Sequence, residues 1–218
     1  MLTSLKNSYI FLIIFTLYGY RMYWYEDDIK RLEKERVKRG YDPEIIFYGS
    51  STIRMWDSLP IDFPHTKIAN LGFGGSTLAA CVWFFSRVMI DYQPEALFIY
   101  AGDNDLGDGR HPEEVLIFFQ QLAAQVSSRF GDLPCYFISL KPSPARWHLA
   151  EQFKYANNLI ESEIIKTNQN WTFIDIFKRM LDKSGHPIPE LYMDDGLHLT
   201  EKGYALWKEI VNPFLIPA

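Results

Sequence analysis

The sequence has few of the residues on which several large classes of protein depend. Its two cysteines, Cys81 and Cys135, lie inside apolar segments and form no metal-binding spacing, so we expect two small buried hydrophobic side chains. The formal net charge is -5 at pH 7, whereas a nucleic-acid-binding domain usually has a surplus of lysine and arginine. The sequence also has no internal repeat and no linker. We therefore predict no metal site and no nucleic-acid partner.

The composition is typical of one globular domain with a full core. Of the 218 residues, 48% are hydrophobic and 16% are aromatic, which is ample for a domain of ordinary size. The densest basic run, residues 30–39, contains Glu33 and Glu35 among its lysines and arginines at helical spacing. This pattern predicts the solvated face of a helix rather than a binding patch.

An apolar segment at residues 8–20 (SYIFLIIFTLYGY) separates the N-terminus from the rest of the chain. It follows Lys6 and ends before Arg21, and its length suits a signal peptide better than the roughly 20 residues of a full membrane span. No small-x-small cleavage site follows it. Three interpretations stay open: an uncleaved membrane anchor, a signal sequence with a poor cleavage site, and a translated extension with the true start at Met22.

These interpretations divide the chain into an N-terminal apolar segment, residues 1–24, and one domain, residues 25–218. In an anchor, Lys6 before the segment and Glu26, Asp27 and Asp28 after it would place the domain outside the cytoplasm, because positive charge stays inside. We therefore expect a membrane-anchored or exported protein with membrane attachment through residues 8–20. A start at Met22 would instead give a cytoplasmic protein.

Beyond the apolar segment, short apolar runs alternate with helical patterns. A doubly wound parallel sheet with helices on both faces has this alternation, so we predict a three-layer α/β/α sandwich with five parallel strands. We expect helices at 26–39, from about 76 or 77, from 112, at 147–166, at 176–181 and after Thr200. The predicted strands are 45–48, 67–71, 96–100, 135–140 and 171–174.

A serine and a histidine at opposite ends of this domain suggest nucleophilic catalysis. Ser51 follows the first strand, and His198 lies three residues after Asp195. A carboxylate so close in sequence can orient an imidazole, which can then remove the proton of a hydroxyl. Each residue also has a simpler explanation: Ser50 and Ser51 would cap a turn, and the histidine would satisfy a backbone group. Asp194 is a second candidate for the acid, although the spacing favours Asp195.

Two loops between these residues allow more than one interpretation. Asp103, Asp105 and Glu114 occupy the first, third and twelfth positions of a calcium loop, but Asp108 stands where that loop needs glycine. Residues 72–75 (GFGG) follow a strand and open a helix, as a phosphate-binding loop does, but lack its lysine. We favour a different use for residues 72–75, in which a glycine N–H at the start of a helix stabilises an oxyanion.

The residues in these loops resemble the sequence blocks of the SGNH (GDSL-type) esterase/lipase superfamily. The resemblance covers residues 25–213 and includes the blocks FYGSS at 47–51, NLGFGG at 70–75, GDND at 102–105 and DGLH at 195–198. Ser50 stands where the family often has aspartate. No serine lies in a G-x-S-x-G motif, which argues against an α/β-hydrolase. The resemblance implies a flavodoxin-like SGNH hydrolase fold, with the catalytic residues Ser51, Asp195 and His198 and the oxyanion-hole residues Gly75 and Asn104.

The resemblance further implies a carboxylic ester hydrolase that forms an acyl-Ser51 intermediate and needs no metal or organic cofactor. Candidate substrates are short acyl esters, acetylated carbohydrates and lysophospholipids. Two other classes stay open: a non-catalytic binding module, and a phosphate- or nucleotide-binding protein that uses residues 72–76. Arg146 is a candidate for binding a carboxylate or phosphate, or for packing on its neighbour, Trp147. Trp56, Phe73, Trp83 and Trp147 are candidates for lining a substrate pocket.

Overall fold

The computed structural model describes residues 22–167 and 170–215. Within these ranges, five strands form one sheet in the order β2-β1-β3-β4-β5, and all neighbouring strands are parallel. Parallel strands buried on both faces are apolar along their whole length, as the central strands β1 and β3 are, whereas the edge strand β5 has an exposed residue, Thr172. The strands are β1 Ile45–Gly49, β2 Ile68–Gly72, β3 Ala96–Tyr100, β4 Cys135–Ile138 and β5 Trp171–Ile174.

Helices connect the strands and cover both faces of the sheet, which confirms the predicted three-layer α/β/α fold. Short 3₁₀ turns lie at Pro144–Leu149, Lys178–Met180, Pro189–Leu191 and Asn212–Phe214. The helices are α1 Glu26–Lys38, α2 Ser51–Arg54, α3 Leu59–Asp62, α4 Leu78–Val88, α5 Asp103–Gly107, α6 Pro112–Phe130, α7 Ala150–Thr167 and α8 Glu201–Val211.

The core has two parts, one on each face of the sheet. Alternate residues of β1 point to opposite faces, with Ile46 and Tyr48 in one cluster and Ile45 and Phe47 in the other. The first cluster packs against α1, α4, α6 and α7, and the second against α2, α3 and α8. Cys81 and Cys135 are both free and buried in the first cluster, as the sequence predicted.

The strand order places a crevice between the ends of β1 and β3. The chain runs from β1 outward to β2 and then returns to β3 on the other side of β1. In open parallel sheets, ligands bind at such a switch point, beyond the carboxyl ends of the strands. The loops after β1, β2 and β3 carry the predicted residues Ser51, Gly75 and Asn104, and Asp195 and His198 lie on the loop between β5 and α8.

Three elements differ most from the sequence prediction. The helix predicted at 176–181 is only a 3₁₀ turn at Lys178–Met180. Strand β4 ends at Ile138 rather than at residue 140, because the Leu140 N–H donates to Asn157 Oδ1 at 2.8 Å and the Leu140 carbonyl accepts from Asn157 Nδ2 at 3.0 Å. The helix predicted from Trp147 begins at Ala150. A 3₁₀ turn precedes it, and Arg146 within that turn has non-helical dihedral angles.

The predictions for the N-terminal apolar segment, residues 8–20, lie outside the described residues. The segment's role and the division at residue 24 therefore stay predictions. In the described parts of the chain, no helix is both long enough and apolar enough to cross a membrane.

Candidate active site

Ser51 lies at a sharp turn between β1 and α2. Gly49 ends the strand with a φ of 146°, and a Cβ atom there would lie 1.9 Å from the carbonyl oxygen of Tyr100 on β3. Only glycine allows this close approach of the two strands. The Ser50 N–H donates to the same carbonyl at 2.9 Å. The turn therefore starts α2 at Ser51, beyond the sheet edge.

The loop before α8 brings His198 to Ser51. His198 Nε2 lies 3.0 Å from Ser51 Oγ, and His198 Nδ1 lies 2.6 Å from Asp195 Oδ2. The other carboxylate oxygen accepts from the backbone N–H groups of Leu197 and His198, each at 2.9 Å. Thr200 then caps α8 by accepting from the Gly203 N–H. The structure thus joins residues 147 positions apart into one hydrogen-bonded chain.

The environment of Asp195 keeps it ionised. Partial burial opposes ionisation, but the hydrogen bonds from the His198 side chain and from two backbone N–H groups lower the pKa of Asp195 to about 2. Its neighbour Asp194 is exposed and is not part of the chain that leads to Ser51. Of the two acids considered from the sequence, the geometry therefore favours Asp195.

Gly75 and Asn104 lie on the loops that follow β2 and β3. Gly75 has a φ of 65°, a left-handed conformation that favours glycine. Asn104, in α5, donates from Nδ2 to the carbonyl oxygen of Ser76 at 3.0 Å. This hydrogen bond attaches the amide to the end of residues 72–75, here called the glycine loop. The structure therefore brings these two predicted oxyanion-hole residues next to each other.

Helix α1 and its N-cap residue, Tyr25, contact residues 72–75 at three positions, which the sequence analysis missed. The Tyr25 hydroxyl donates to the Gly75 carbonyl at 3.1 Å, the Gly74 N–H donates to Asp28 Oδ2 at 3.0 Å, and Arg31 Nη2 donates to the Gly72 carbonyl at 2.9 Å. Asp28 thus occupies the Gly74 N–H, which a phosphate-binding loop would keep free for its ligand. The acidic run after the apolar segment includes Asp28, but in the sequence this run indicates only the orientation of a membrane anchor.

The aspartates of the middle loop have structural partners rather than a shared ion. Asp105 Oδ2 accepts from the Leu78 N–H at 2.6 Å, and Glu114 accepts from the His111 N–H at 2.8 Å. Burial raises the pKa of Asp105 to about 6. Residues 22–167 and 170–215 contain no cluster of three or more side chains suited to holding a metal ion. The calcium-loop interpretation therefore has no support.

Asp103 belongs to a buried charged cluster next to Ser51 and Asn104 in the sequence and the structure. Lys141 Nζ lies 3.2 Å from Asp103 Oδ2, 3.2 Å from the Tyr100 hydroxyl and 3.2 Å from Thr52 Oγ1. Burial alone would raise the pKa of Asp103, but the charges of Lys141 and Arg146 lower it. No local pattern indicates this cluster, because Lys141 lies 38 residues after Asp103 in the sequence.

Two of the four aromatic residues predicted to line a pocket lie in the core instead. Trp56 and Phe73 are fully buried in the core, so the prediction that they line a pocket is wrong. Trp83 is 66% exposed, and Trp147 contacts His186 at 5.5 Å between ring centroids. Arg146 donates hydrogen bonds to the Asp103 carbonyl and to Asn104 Oδ1 within the chain.

The comparisons with known proteins agree with this fold. The GDSL-like Lipase/Acylhydrolase family matches residues 40–206 of the sequence. The chain belongs to this family of hydrolases, as its sequence blocks had indicated. A search of curated proteins found no match.

Several solved structures share the fold at low sequence identity. A protein from Streptococcus pneumonia, described as a platelet activating factor, superposes with a TM-score of 0.81 at 18% identity, covering 94% of this chain and 99% of its own. A GDSL-like lipase from Bacteroides thetaiotaomicron gives 0.72 at 18%, covering 86% and 96%. The SGNH-hydrolase family esterase AlinE4 gives 0.56 at 19%, covering 83% and 100%.

Proposed function

We propose that this protein is a serine esterase that hydrolyses carboxylic esters through an acyl-Ser51 intermediate. The observation that carries the proposal is the hydrogen-bonded chain from Ser51 through His198 to Asp195, with distances of 3.0 and 2.6 Å. An ionised carboxylate only accepts hydrogen bonds, so Asp195 holds the proton of His198 on Nδ1. Nε2 is then free to accept the proton of the Ser51 hydroxyl.

In this mechanism, Ser51 Oγ attacks the ester carbonyl while His198 Nε2 takes the hydroxyl proton. The negative charge that develops on the carbonyl oxygen is stabilised by the backbone N–H groups of Ser51 and Gly75 and by the Asn104 amide. His198 then protonates the leaving alcohol, and the acyl group stays on Ser51. A water molecule, deprotonated by His198, then attacks the acyl carbonyl. The bond between the acyl carbon and Ser51 Oγ breaks, the carboxylic acid leaves, and His198 returns the proton to Ser51 Oγ. The mechanism uses no metal and no organic cofactor.

The proposed substrates are short acyl esters, acetylated carbohydrates or lysophospholipids. These classes share an acyl carbonyl that can approach the half-buried Ser51 at the rim formed by the loops. A panel of p-nitrophenyl esters of increasing chain length, acetylated sugars and lysophosphatidylcholine separates them. The ratio of kcat/KM between panel members measures the preference directly.

The nucleophile is tested by a pair of adjacent variants. Ser51→Ala should reduce p-nitrophenyl acetate hydrolysis to near background and abolish labelling by a fluorophosphonate probe. Ser50→Ala is the matched control, because the buried Ser50 hydroxyl has no hydrogen-bond partner among the described residues. It should keep most of the activity. Survival of activity in Ser51→Ala, or equal loss in both variants, would overturn the proposal.

We further propose that residues 8–20 attach the protein to a membrane, with the hydrolase domain outside the cytoplasm. The supporting observations are the apolar run between Lys6 and Arg21 and the acidic residues that follow it. Fractionation of cells that express the full chain, compared with a chain beginning at Met22, tests this proposal. The proposal predicts that the full chain sediments with membranes and is cleaved by external protease, and that the chain beginning at Met22 does not sediment with membranes.

A further inference from the structure

The Asn104 side chain can act as an oxyanion donor in only one of its two amide orientations. An amide has donors on its nitrogen and an acceptor oxygen, and a rotation of 180° exchanges the two. In one orientation a polarised N–H faces the developing negative charge; in the other an oxygen faces it and repels it. Catalysis through Asn104 therefore depends on whatever fixes this rotation.

Two contacts with opposite requirements fix the amide of Asn104. Arg146 Nη2 donates to Asn104 Oδ1 at 2.9 Å, while Asn104 Nδ2 donates to the Ser76 carbonyl at 3.0 Å. A guanidinium has donors only, and a carbonyl oxygen only accepts. Rotation of the amide would break both hydrogen bonds and place like groups against each other. One Nδ2–H bonds to Ser76, and the second stays available for an oxyanion.

Arg146 is itself held by several contacts. Its Nη1 donates to the Asp103 carbonyl at 3.0 Å and lies 3.6 Å from Asp103 Oδ2, and the Arg146 side chain is only 20% exposed. The guanidinium lies flat against Gly107, where an added Cβ would be 2.9 Å from its Cζ. A residue with a side chain at position 107 would therefore displace the guanidinium. Arg146 lies in the 3₁₀ turn after β4, outside all four sequence blocks.

We propose that Arg146 is a positioning residue that fixes the Asn104 amide for oxyanion binding and places a positive charge behind it. The charge polarises the amide, which makes the remaining Nδ2–H a stronger donor to negative oxygen. Because this effect is largest when the oxygen carries charge, it acts on the transition state more than on the bound ester. This inference rests on the proposed esterase function.

The main experiment compares steady-state kinetics of p-nitrophenyl acetate hydrolysis for wild type and three Arg146 variants. Arg146→Met should lower kcat by about 10- to 100-fold, less than the loss for a deleted oxyanion donor, with KM changed by less than about two-fold. Arg146→Lys keeps the charge and one donor direction and should recover part of the loss. Arg146→Gln, without charge, should recover less. A loss confined to KM would overturn the proposal.

A double-mutant cycle with Asn104→Ala separates positioning from a general structural role. If Arg146 acts through Asn104, Arg146→Met should change kcat by less than about two-fold once Asn104 is alanine. Losses that multiply in the double variant would overturn the proposal. The second-order rate of fluorophosphonate labelling repeats the cycle in a single turnover, where slow variants are easier to measure.

Two further variants guard against misfolding and nonspecific effects. Gly107→Ala should displace the guanidinium, lower kcat in the same direction, and add nothing to Arg146→Met. Arg179→Met is the control, because Arg179 makes an exposed ion pair with Glu209 far from these contacts; it should keep wild-type kinetics. Wild-type kcat in both folded Arg146→Met and Gly107→Ala would overturn the inference, while an active Ser51→Ala would instead overturn the proposed function.

Discussion

The two halves of the candidate site are built in opposite ways. The acid–base half, Asp195 and His198, lies on a loop where the Asp195 side chain is 48% exposed and its partners are two and three residues away. The oxyanion half, Gly75 and Asn104, is linked through Arg146 to Asp103 and Lys141. The side chains of Asp103 and Lys141 are 5% and 1% exposed, and the two residues are 38 positions apart. One half is local and open to solvent, and the other is long-range and buried.

The difference follows from what each half has to do. A general base exchanges its proton with substrate and with water in every turnover, so it must lie where both can reach it. Oxyanion donors stay still and gain strength from a low dielectric, so they are best held by buried charges. Asp195 keeps its position although it is exposed, because the backbone N–H groups of Leu197 and His198 bind its carboxylate.

The largest effect is expected in the local half. Asp195→Asn would leave the geometry almost unchanged but would favour the wrong tautomer of His198, and a loss of about 10⁴-fold in kcat is typical of this change. Asp194→Asn is the matched control and should be mild, because Asp194 is exposed. Kinetics of the two variants on p-nitrophenyl acetate check this. A greater loss of kcat in Asp194→Asn would show that Asp194, and not Asp195, is the acid.

The buried half should respond first in stability. Lys141→Met leaves Asp103 without its buried cation, and breaking such a pair from one side typically costs about 3–5 kcal/mol in the free energy of unfolding. The double variant Lys141→Met with Asp103→Asn removes the uncompensated charge and should be less destabilised than Lys141→Met alone. Urea denaturation followed by circular dichroism compares them. A double variant less stable than the single one would contradict the role of the pair.

Asn104→Ala tests the oxyanion half separately, because it removes a hydrogen-bond donor and leaves His198 unchanged. We expect a loss of about 100- to 1,000-fold in kcat with little change in KM. The measurement is the same ester assay, with folding checked by circular dichroism. A change expressed only in KM would mean that Asn104 binds the ground state, and the contrast between the two halves would lose its catalytic meaning.

The smallest effect is expected from pH, through Asp105. Burial raises its pKa to about 6 in the folded state, against about 3.9 in an unfolded chain. The folded state therefore binds the proton more tightly, so this group favours folding below about pH 4, and that contribution is lost as pH rises through about 6. Relative to Asp105→Asn, wild-type stability should fall by up to about 3 kcal/mol between pH 4 and 7. Thermal unfolding of both proteins at matched pH measures the difference, and a constant or rising difference would contradict the raised pKa.

Much of the fold and one half of the site could be predicted because they depend on short-range patterns. Apolar runs and capping residues gave the strands and most helix starts, and the DGLH block gave an acid and a base three residues apart. The Asp103, Lys141 and Arg146 contacts depend on which loops meet above the sheet, and no local pattern encodes that meeting. The same limit explains why Trp56 was considered a pocket residue although its ring is in the core.

The contacts between α1 and the glycine loop imply that the working unit of this enzyme is larger than the region that defines its family. The family match begins at residue 40, after Tyr25, Asp28 and Arg31, which bind the loop at Gly75, Gly74 and Gly72. A chain cut at residue 40 would keep every residue of the four sequence blocks yet lose the partners of three backbone groups beside the oxyanion hole. Helix α1 also buries Ile29 and Leu32 in the core, so circular dichroism must first show that the shorter chain is folded. A lower kcat in a folded chain beginning at residue 40 than in one beginning at residue 22 would then report the loss of these contacts.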